Sequence, residues 1–97
     1  MLFHVTSQHD HTTCRRVLQG PDAVETGQAW VEGNNAVKVI GAWGYPVSHR
    51  GFAVVEADKF EDVAALFEFH LGMGPVEVLP VNDTVQRRKD MGHWGKS

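Results

Sequence analysis

Apolar and β-branched residues alternate with polar ones in four short segments of the chain. The segments are Leu2–Ser7, Ala36–Trp43, Gly51–Ala57 and Val76–Val81. A period of two is typical of β-strands that bury one face. Polar or glycine-containing stretches separate the segments, so the pattern predicts four strands. The link between the second and third is short, which favours an antiparallel pair.

Helical spacing follows the third predicted strand. Asp58 and Glu61 have the spacing of a capping box, in which the first side chain caps a helix. The apolar residues that would share one face of this helix are Phe60, Val63, Ala64, Phe67 and Leu71. The glycines and the proline of 72–75 end it. The pattern therefore predicts a second helix that packs on the sheet.

The stretch between the first two strands predicts helix in two pieces. Asp10 is placed to cap a helix that begins near His11 and runs to Leu18. Gly20 and a proline break it, and a second piece is predicted over Ala23–Glu32. The order is then β-α-β-β-α-β, which is the ferredoxin-like split βαβ arrangement of the α+β class. Residues 1–82 form this domain, and 83–97 are a polar, basic C-terminal tail.

Alternation divides the predicted sheet into two faces. The face expected under the helices is nearly pure aliphatic and carries Phe3, Val5, Val37, Val39, Ala53, Val55, Val76 and Val78. The opposite face carries His4, Thr6, Lys38, Ile40, Ala42, Phe52, Val54, Glu56, Glu77 and Leu79. Because this second face is also partly apolar, we expect a second copy of the sheet to cover it. The result would be a homodimeric α/β barrel, or a higher oligomer built through exposed edge strands.

Composition narrows the class of protein. Ninety-seven residues make one small domain, and a net charge of −3 argues against a nucleic-acid-binding module. One cysteine excludes an intramolecular disulfide. The apolar runs are shorter than a membrane span, and the chain opens with no signal-peptide pattern. We therefore expect a cytoplasmic protein without nucleic-acid or membrane partners.

The segments RGFAVVEADKFEDVAALFEF (50–69) and VEVLPVND (76–83) carry a family resemblance, with LFHVTS and KVIGAWG in the first two strands. They resemble short uncharacterised bacterial proteins of the dimeric α/β-barrel superfamily, which has a ferredoxin-like fold. The resemblance implies a pocket between sheet and helices or inside the barrel. It implies an acid–base isomerase or an oxygenase acting on a small organic substrate. The haem-degrading branch has a tryptophan where this chain has Glu56, which disfavours haem breakdown.

His4 is the first candidate for chemistry. In the ferredoxin-like order strand one lies between strands three and four, which places His4 between strands carrying Glu56 and Glu77. An imidazole with two carboxylates is suited to general-base catalysis or to metal binding. The alternative is structural: both glutamates face solvent or the dimer partner, and Lys38 pairs with one of them.

His9, His11 and Cys14 are the second candidate group. Imidazole and thiolate bind zinc, copper, iron or nickel, although the spacing H-x-H-x-x-C has no second half of a known motif. His49, just before strand three, and His70, near the end of the second helix, are reserve ligands. The alternative is a buried, inert cysteine beside an exposed loop.

Three functions follow from these residues. The first is a dimer whose histidine-containing pocket binds a small ligand or a transition metal, and which catalyses a reaction if His4 acts as base. The second is a non-catalytic metal-binding protein that uses His9, His11 and Cys14. The third is a structural or regulatory dimer. The sequence leaves open which of them applies, including whether the protein is an enzyme.

Overall fold

A computed structural model describes residues 1–14, 18–20 and 29–96 of the chain. Its four strands are β1 (Leu2–Gln8), β2 (Val37–Tyr45), β3 (Arg50–Ala57) and β4 (Val76–Val81). Each lies within two residues of the predicted bounds, so the four predicted strands are confirmed. The sheet order is β2-β3-β1-β4 with every pair antiparallel. This is the order expected for a ferredoxin-like arrangement, and the α+β class is confirmed. The sheet of this single chain is open, so closure into a barrel stays a prediction.

The helices described are α1 (Phe60–Leu66), α2 (Glu68–Leu71) and α3 (Thr84–Asp90), with 3-10 helices at Ala29–Glu32 and Pro46–Ser48. The helix predicted after β3 is present but is interrupted at Phe67, whose φ of −99° and ψ of 11° are not helical. The capping prediction for Asp58 is wrong. Lys59 occupies the N-cap with extended backbone, and its side chain has no acceptor to offer.

The segment between β1 and β2 is described in part. Asp10 caps a turn at 11–13, and Leu18 and Gln19 are helical. Of the predicted helix Ala23–Glu32, the first six residues lie outside the described residues and the last four form the 3-10 helix. That 3-10 helix brings Trp30 against Phe67, with ring centroids 4.9 Å apart.

The core lies on the face of the sheet that the helices cover. Its buried residues are Phe3, Val5, Val37, Ala53, Val55, Ala57, Val63 and Phe67. Val39, Val76 and Val78 pack against them, which matches the face predicted from alternation. β1 pairs with β3 on one side and with β4 on the other, and its residues Phe3 and Val5 are buried. Phe60 and Leu71, predicted on the buried face of the helix, are exposed.

A β-bulge near Ile40 changes one prediction about the faces. The register between β2 and β3 shifts between Val39 and Gly41, after which Ala42 pairs with Ala53 and Trp43 with Phe52. A bulge adds one residue and so reverses the alternation beyond it. Ala42 therefore lies on the helix side, and its predicted place on the opposite face is wrong.

The opposite face, here called the open face, carries an apolar surface that the helices do not cover. Its exposed large apolar or aromatic residues are Ile40, Trp43, Tyr45, Leu79 and Val81. The C-terminal residues beyond β4 form α3, which begins where the side chain of Asp83 accepts a hydrogen bond from the Gln86 N–H at 2.9 Å. Among the residues described, no helix has both the length and the apolar character that a membrane crossing needs.

The fold predicts a large difference between two valine-to-alanine substitutions. Val55 is 0% exposed on β3, whereas Val47 is 79% exposed in the link before it. We expect Val55→Ala to lower the free energy of unfolding by about 2–3 kcal/mol, since it removes buried methyl groups and leaves a cavity. Val47→Ala is the control, with an effect within about 0.5 kcal/mol. Urea denaturation measures both, and equal effects would contradict the assigned core.

Candidate metal centre

Three side chains converge at one end of the β1–β3 pair. His9 directly follows β1, His49 directly precedes β3, and Cys14 lies five residues after His9. One ligand atom from each, an imidazole nitrogen or the thiol sulfur, lies within 4.8 Å of the other two. Among the described residues, this His9–Cys14–His49 group is the cluster of side chains that could bind a metal ion.

Backbone pairing positions the two histidines. β1 and β3 pair in register up to Gln8 and Arg50, and the next N–H, that of His9, donates to the carbonyl of His49 at 3.1 Å. The ladder therefore continues one residue beyond the strands. It holds the imidazoles side by side, with centroids 5.1 Å apart and planes at 62°.

His49 has an unusual backbone conformation. Its φ of 56° and ψ of 41° are left-handed, and it is the one non-glycine residue with positive φ in the described part of the chain. Its N–H closes the 3-10 helix Pro46–Ser48 by donating to the Pro46 carbonyl at 3.2 Å. Such conformations are uncommon outside glycine and concentrate at functional sites.

A capped turn positions Cys14. The Asp10 carboxylate accepts hydrogen bonds from the Thr12 N–H at 2.8 Å and from the Thr12 hydroxyl. The Cys14 N–H then donates to the Asp10 carbonyl at 2.9 Å, which completes one helical turn. The hydrogen bonds from Thr12 lower the pKa of Asp10. This turn places Cys14 beside the two imidazoles, where the residue is only 8% exposed.

The electrostatic surroundings favour the neutral form of His9. Burial lowers the pKa of His9 most, the charge of His49 lowers it further, and Asp10 opposes both. A lowered pKa keeps the imidazole unprotonated to lower pH in the folded state than in the unfolded chain. The neutral imidazole is also the form that binds a metal.

Some of the ligands predicted from the sequence belong to this group, and others do not. Cys14 and His9 belong to it, and it is completed by His49, not by His11, which is exposed. His9 follows β1 and His49 precedes β3, so the antiparallel pairing of these strands brings the two histidines together. The spacing of the histidines along the chain does not reveal this proximity.

His70 lies near the group but outside it. Its ring stands edge-on to Trp30 at 5.3 Å and packs on Phe67 at 5.3 Å. Burial lowers the pKa of His70, and the charge of His9 adds to this effect, so the two imidazoles interact. The loop after α2 brings them together, because the backbone at Gly74 packs against the Gln8 carbonyl and the Cα of His9.

The residues opposite His4 are apolar. In the register of the sheet Val54 of β3 and Leu79 of β4 are its direct partners. Glu56 is instead opposite Leu2, two positions away along β1. His4 is half-buried on the open face.

Glu77 is likewise displaced from His4, since it lies opposite Thr6. Glu56 and Glu77 share the open face with His4, and both are exposed. Within residues 1–14, 18–20 and 29–96 no side-chain hydrogen bond or ion pair joins His4 to either carboxylate. Glu56 does line a shallow cleft of about 210 Å³ with residues 34–38, but no histidine lines that cleft. A catalytic role for His4, Glu56 and Glu77 stays a prediction.

The close packing of Gly74 against β1 predicts that a side chain at this position would destabilise the protein. A Cβ at this position would overlap the Gln8 carbonyl oxygen, whereas a Cβ at Gly44 of β2 meets nothing within 4 Å. We expect Gly74→Ala to destabilise the protein by about 1–3 kcal/mol, because the loop must move away from β1. Gly44→Ala, the control, is expected to change stability by less than about 0.5 kcal/mol. Thermal unfolding compares the two, and a neutral Gly74→Ala would contradict this packing.

Comparison with known proteins gives a family and no function. No curated protein and no solved structure matches the chain. Residues 1–93 match a family described as a domain of unknown function, DUF3303. This match covers nearly the whole chain, including the His9–Cys14–His49 group. The chain therefore belongs to the DUF3303 family.

Proposed function

We propose that this protein binds one transition metal ion through His9, Cys14 and His49. The observation that carries the proposal is that one ligand atom from each of the three lies within 4.8 Å of the others. Thiolate and imidazole together are a donor set typical of zinc, and also suit copper. Zinc is the metal we propose first, because a mixed nitrogen and sulfur set with tetrahedral geometry is its usual protein environment.

A small movement of the ligand side chains would give the spacing that zinc requires. With Zn–N near 2.0–2.1 Å and Zn–S near 2.3 Å, tetrahedral ligand atoms are about 3.3–3.6 Å apart. Because the ligand atoms lie within 4.8 Å of one another, they must approach each other by up to about 1.2–1.5 Å. Rotations of the two imidazoles and the thiol supply a movement of this size, while the His9–His49 backbone pairing stays in place.

The redox state of Cys14 bears on where the protein acts. It is the single cysteine of the chain and is free. A metal site with one thiolate requires that this sulfur stay reduced, which the cytoplasm ensures. We therefore propose a cytoplasmic location. The acid–base function centred on His4 has no comparable support, because neither carboxylate contacts that imidazole.

A second copy of the chain is the partner we propose. The open face exposes Ile40, Trp43 and Tyr45 on β2, and Leu79 and Val81 on β4, the strand at the other edge of the sheet. Exposed apolar surface on a sheet face often marks an interface. Pairing two open faces across a two-fold axis would bury it and close two sheets into a barrel. The metal group lies at the end of the β1–β3 pair. Contact between two open faces therefore does not involve the metal ligands.

The metal proposal predicts a specific pattern of binding. We expect elemental analysis to find about one zinc per chain, and cobalt titration to give a thiolate-to-cobalt charge-transfer band. Cys14→Ser should abolish that band, and His9→Ala or His49→Ala should weaken cobalt binding at least about tenfold. His11→Ala should bind cobalt as the wild type does, because His11 lies outside the group.

Two results would contradict the metal proposal. One is wild-type protein that takes up no zinc, copper, iron, nickel or cobalt. The other is a loss of binding in His11→Ala equal to that in His49→Ala, which would restore the set His9, His11 and Cys14 predicted from spacing. Circular dichroism of each variant shows whether a loss of metal reflects unfolding.

The dimer proposal predicts that charge on the open face dissociates the protein. Leu79 is exposed on that face, and Phe60 is similarly exposed on α1. Sedimentation should show a wild-type dimer and a Leu79→Arg monomer, since the new cation would be buried without a partner. Phe60→Arg is the matched control and should remain dimeric. A wild type that is monomeric at every concentration tested would contradict the proposal.

A further inference from the structure

Two buried polar atoms in the described residues have no hydrogen-bond partner. They are the Ser48 hydroxyl oxygen and the Nδ1 nitrogen of His70. Buried polar groups in native proteins are nearly always hydrogen-bonded, and an exception often marks a group that binds something else. Both atoms belong to residues beside the metal group. Ser48 directly precedes His49, and the loop that follows His70 packs through Gly74 against His9.

His70 is fixed in place from several directions. Its ring packs against Trp30 and Phe67, which limits rotation of the side chain. Its carbonyl accepts hydrogen bonds from the N–H groups of Met73 at 2.9 Å and Gly74 at 3.2 Å. The backbone at Gly74 in turn lies close to His9, because a Cβ added at Gly74 would be 3.2 Å from the His9 Cα. His70 is therefore held near the metal group, although it provides no atom to the set within 4.8 Å.

Ser48 is held by the backbone that precedes His49. It ends the 3-10 helix Pro46–Ser48, and the left-handed backbone of His49 follows directly. The residue is half-buried, but its hydroxyl oxygen is inaccessible and unpaired. A hydroxyl and an imidazole N–H are both hydrogen-bond donors, so both are suited to an acceptor oxygen on a bound molecule.

The charge of the loaded site defines the class of that molecule. A divalent ion with one thiolate and two neutral imidazoles has a net charge of +1. Three protein ligands leave a fourth position open on a tetrahedral metal. A singly charged oxygen ligand neutralises the site, and a carboxylate has a second oxygen left to accept hydrogen bonds.

We infer that the fourth position of the metal binds a small monocarboxylate, whose second oxygen accepts hydrogen bonds from Ser48 Oγ and His70 Nδ1. This inference rests on the proposed metal site and adds the class of its exogenous ligand. Ser48 and His70 are positioning residues in it, since they contact the carboxylate and not the metal. The two unpaired atoms then gain partners when the ligand binds.

The experiment is an acetate titration of the cobalt-loaded protein at fixed pH, with perchlorate keeping the ionic strength constant. We expect a saturable change in the cobalt d–d spectrum of the wild type. Ser48→Ala and His70→Ala should each weaken acetate binding about tenfold, the effect of losing one hydrogen bond to a charged group. Both should keep the wild-type cobalt stoichiometry and charge-transfer band. Ser48→Thr should restore acetate affinity, and His93→Ala, in the exposed C-terminal residues, should leave it unchanged.

Three outcomes would overturn the inference while leaving the metal site intact. The first is a wild-type spectrum that does not respond to acetate. The second is wild-type acetate affinity in both Ser48→Ala and His70→Ala. The third is a loss of cobalt stoichiometry in folded His70→Ala, which would make His70 a ligand of the metal itself. Failure of the wild type to bind cobalt is a separate result and contradicts the proposed function.

Discussion

The antiparallel pairing of β1 with β3 is the interaction on which both the fold and the candidate site depend. Along the strands it aligns Phe3 with Val55 and Val5 with Ala53, which builds the centre of the core. One step beyond the strands the same ladder joins His9 to His49 through a backbone hydrogen bond of 3.1 Å. Because the core holds the two strands in place, the backbone of the two histidines is also fixed. Cys14 needs only a short capped turn to reach them.

The two faces of the sheet differ in what covers them. The face under α1 and α2 is filled by the chain itself, with Val63 and Phe67 supplying the helical side of the core. The open face retains exposed apolar residues, which is why we propose that a second copy covers it. The metal group belongs to neither face and lies at one end of the sheet. Metal binding by these ligands therefore does not require the dimeric barrel that the resemblance implies.

Much of the fold could be predicted because alternation and turn residues are local signals. The strand bounds followed from them, and so did the buried set from Phe3 to Val78. Ala42 was misplaced because a bulge near Ile40 leaves no mark in the alternation that precedes it. The candidate site was harder to predict, because His49 joins His9 and Cys14 only through strand register. Likewise, the direct neighbours of His4 are Val54 and Leu79, since the register sets the glutamates two positions away.

We propose that one thiolate and two imidazoles of this chain bind the same metal ion. X-ray absorption spectroscopy of the zinc-loaded protein tests it most directly, because it counts sulfur and imidazole neighbours separately. We expect one sulfur at about 2.3 Å and two imidazole nitrogens at about 2.0–2.1 Å, with one further light atom in the fourth position. A zinc ion without a sulfur neighbour, or with more than one, would contradict the assignment of His9, Cys14 and His49 as its ligands.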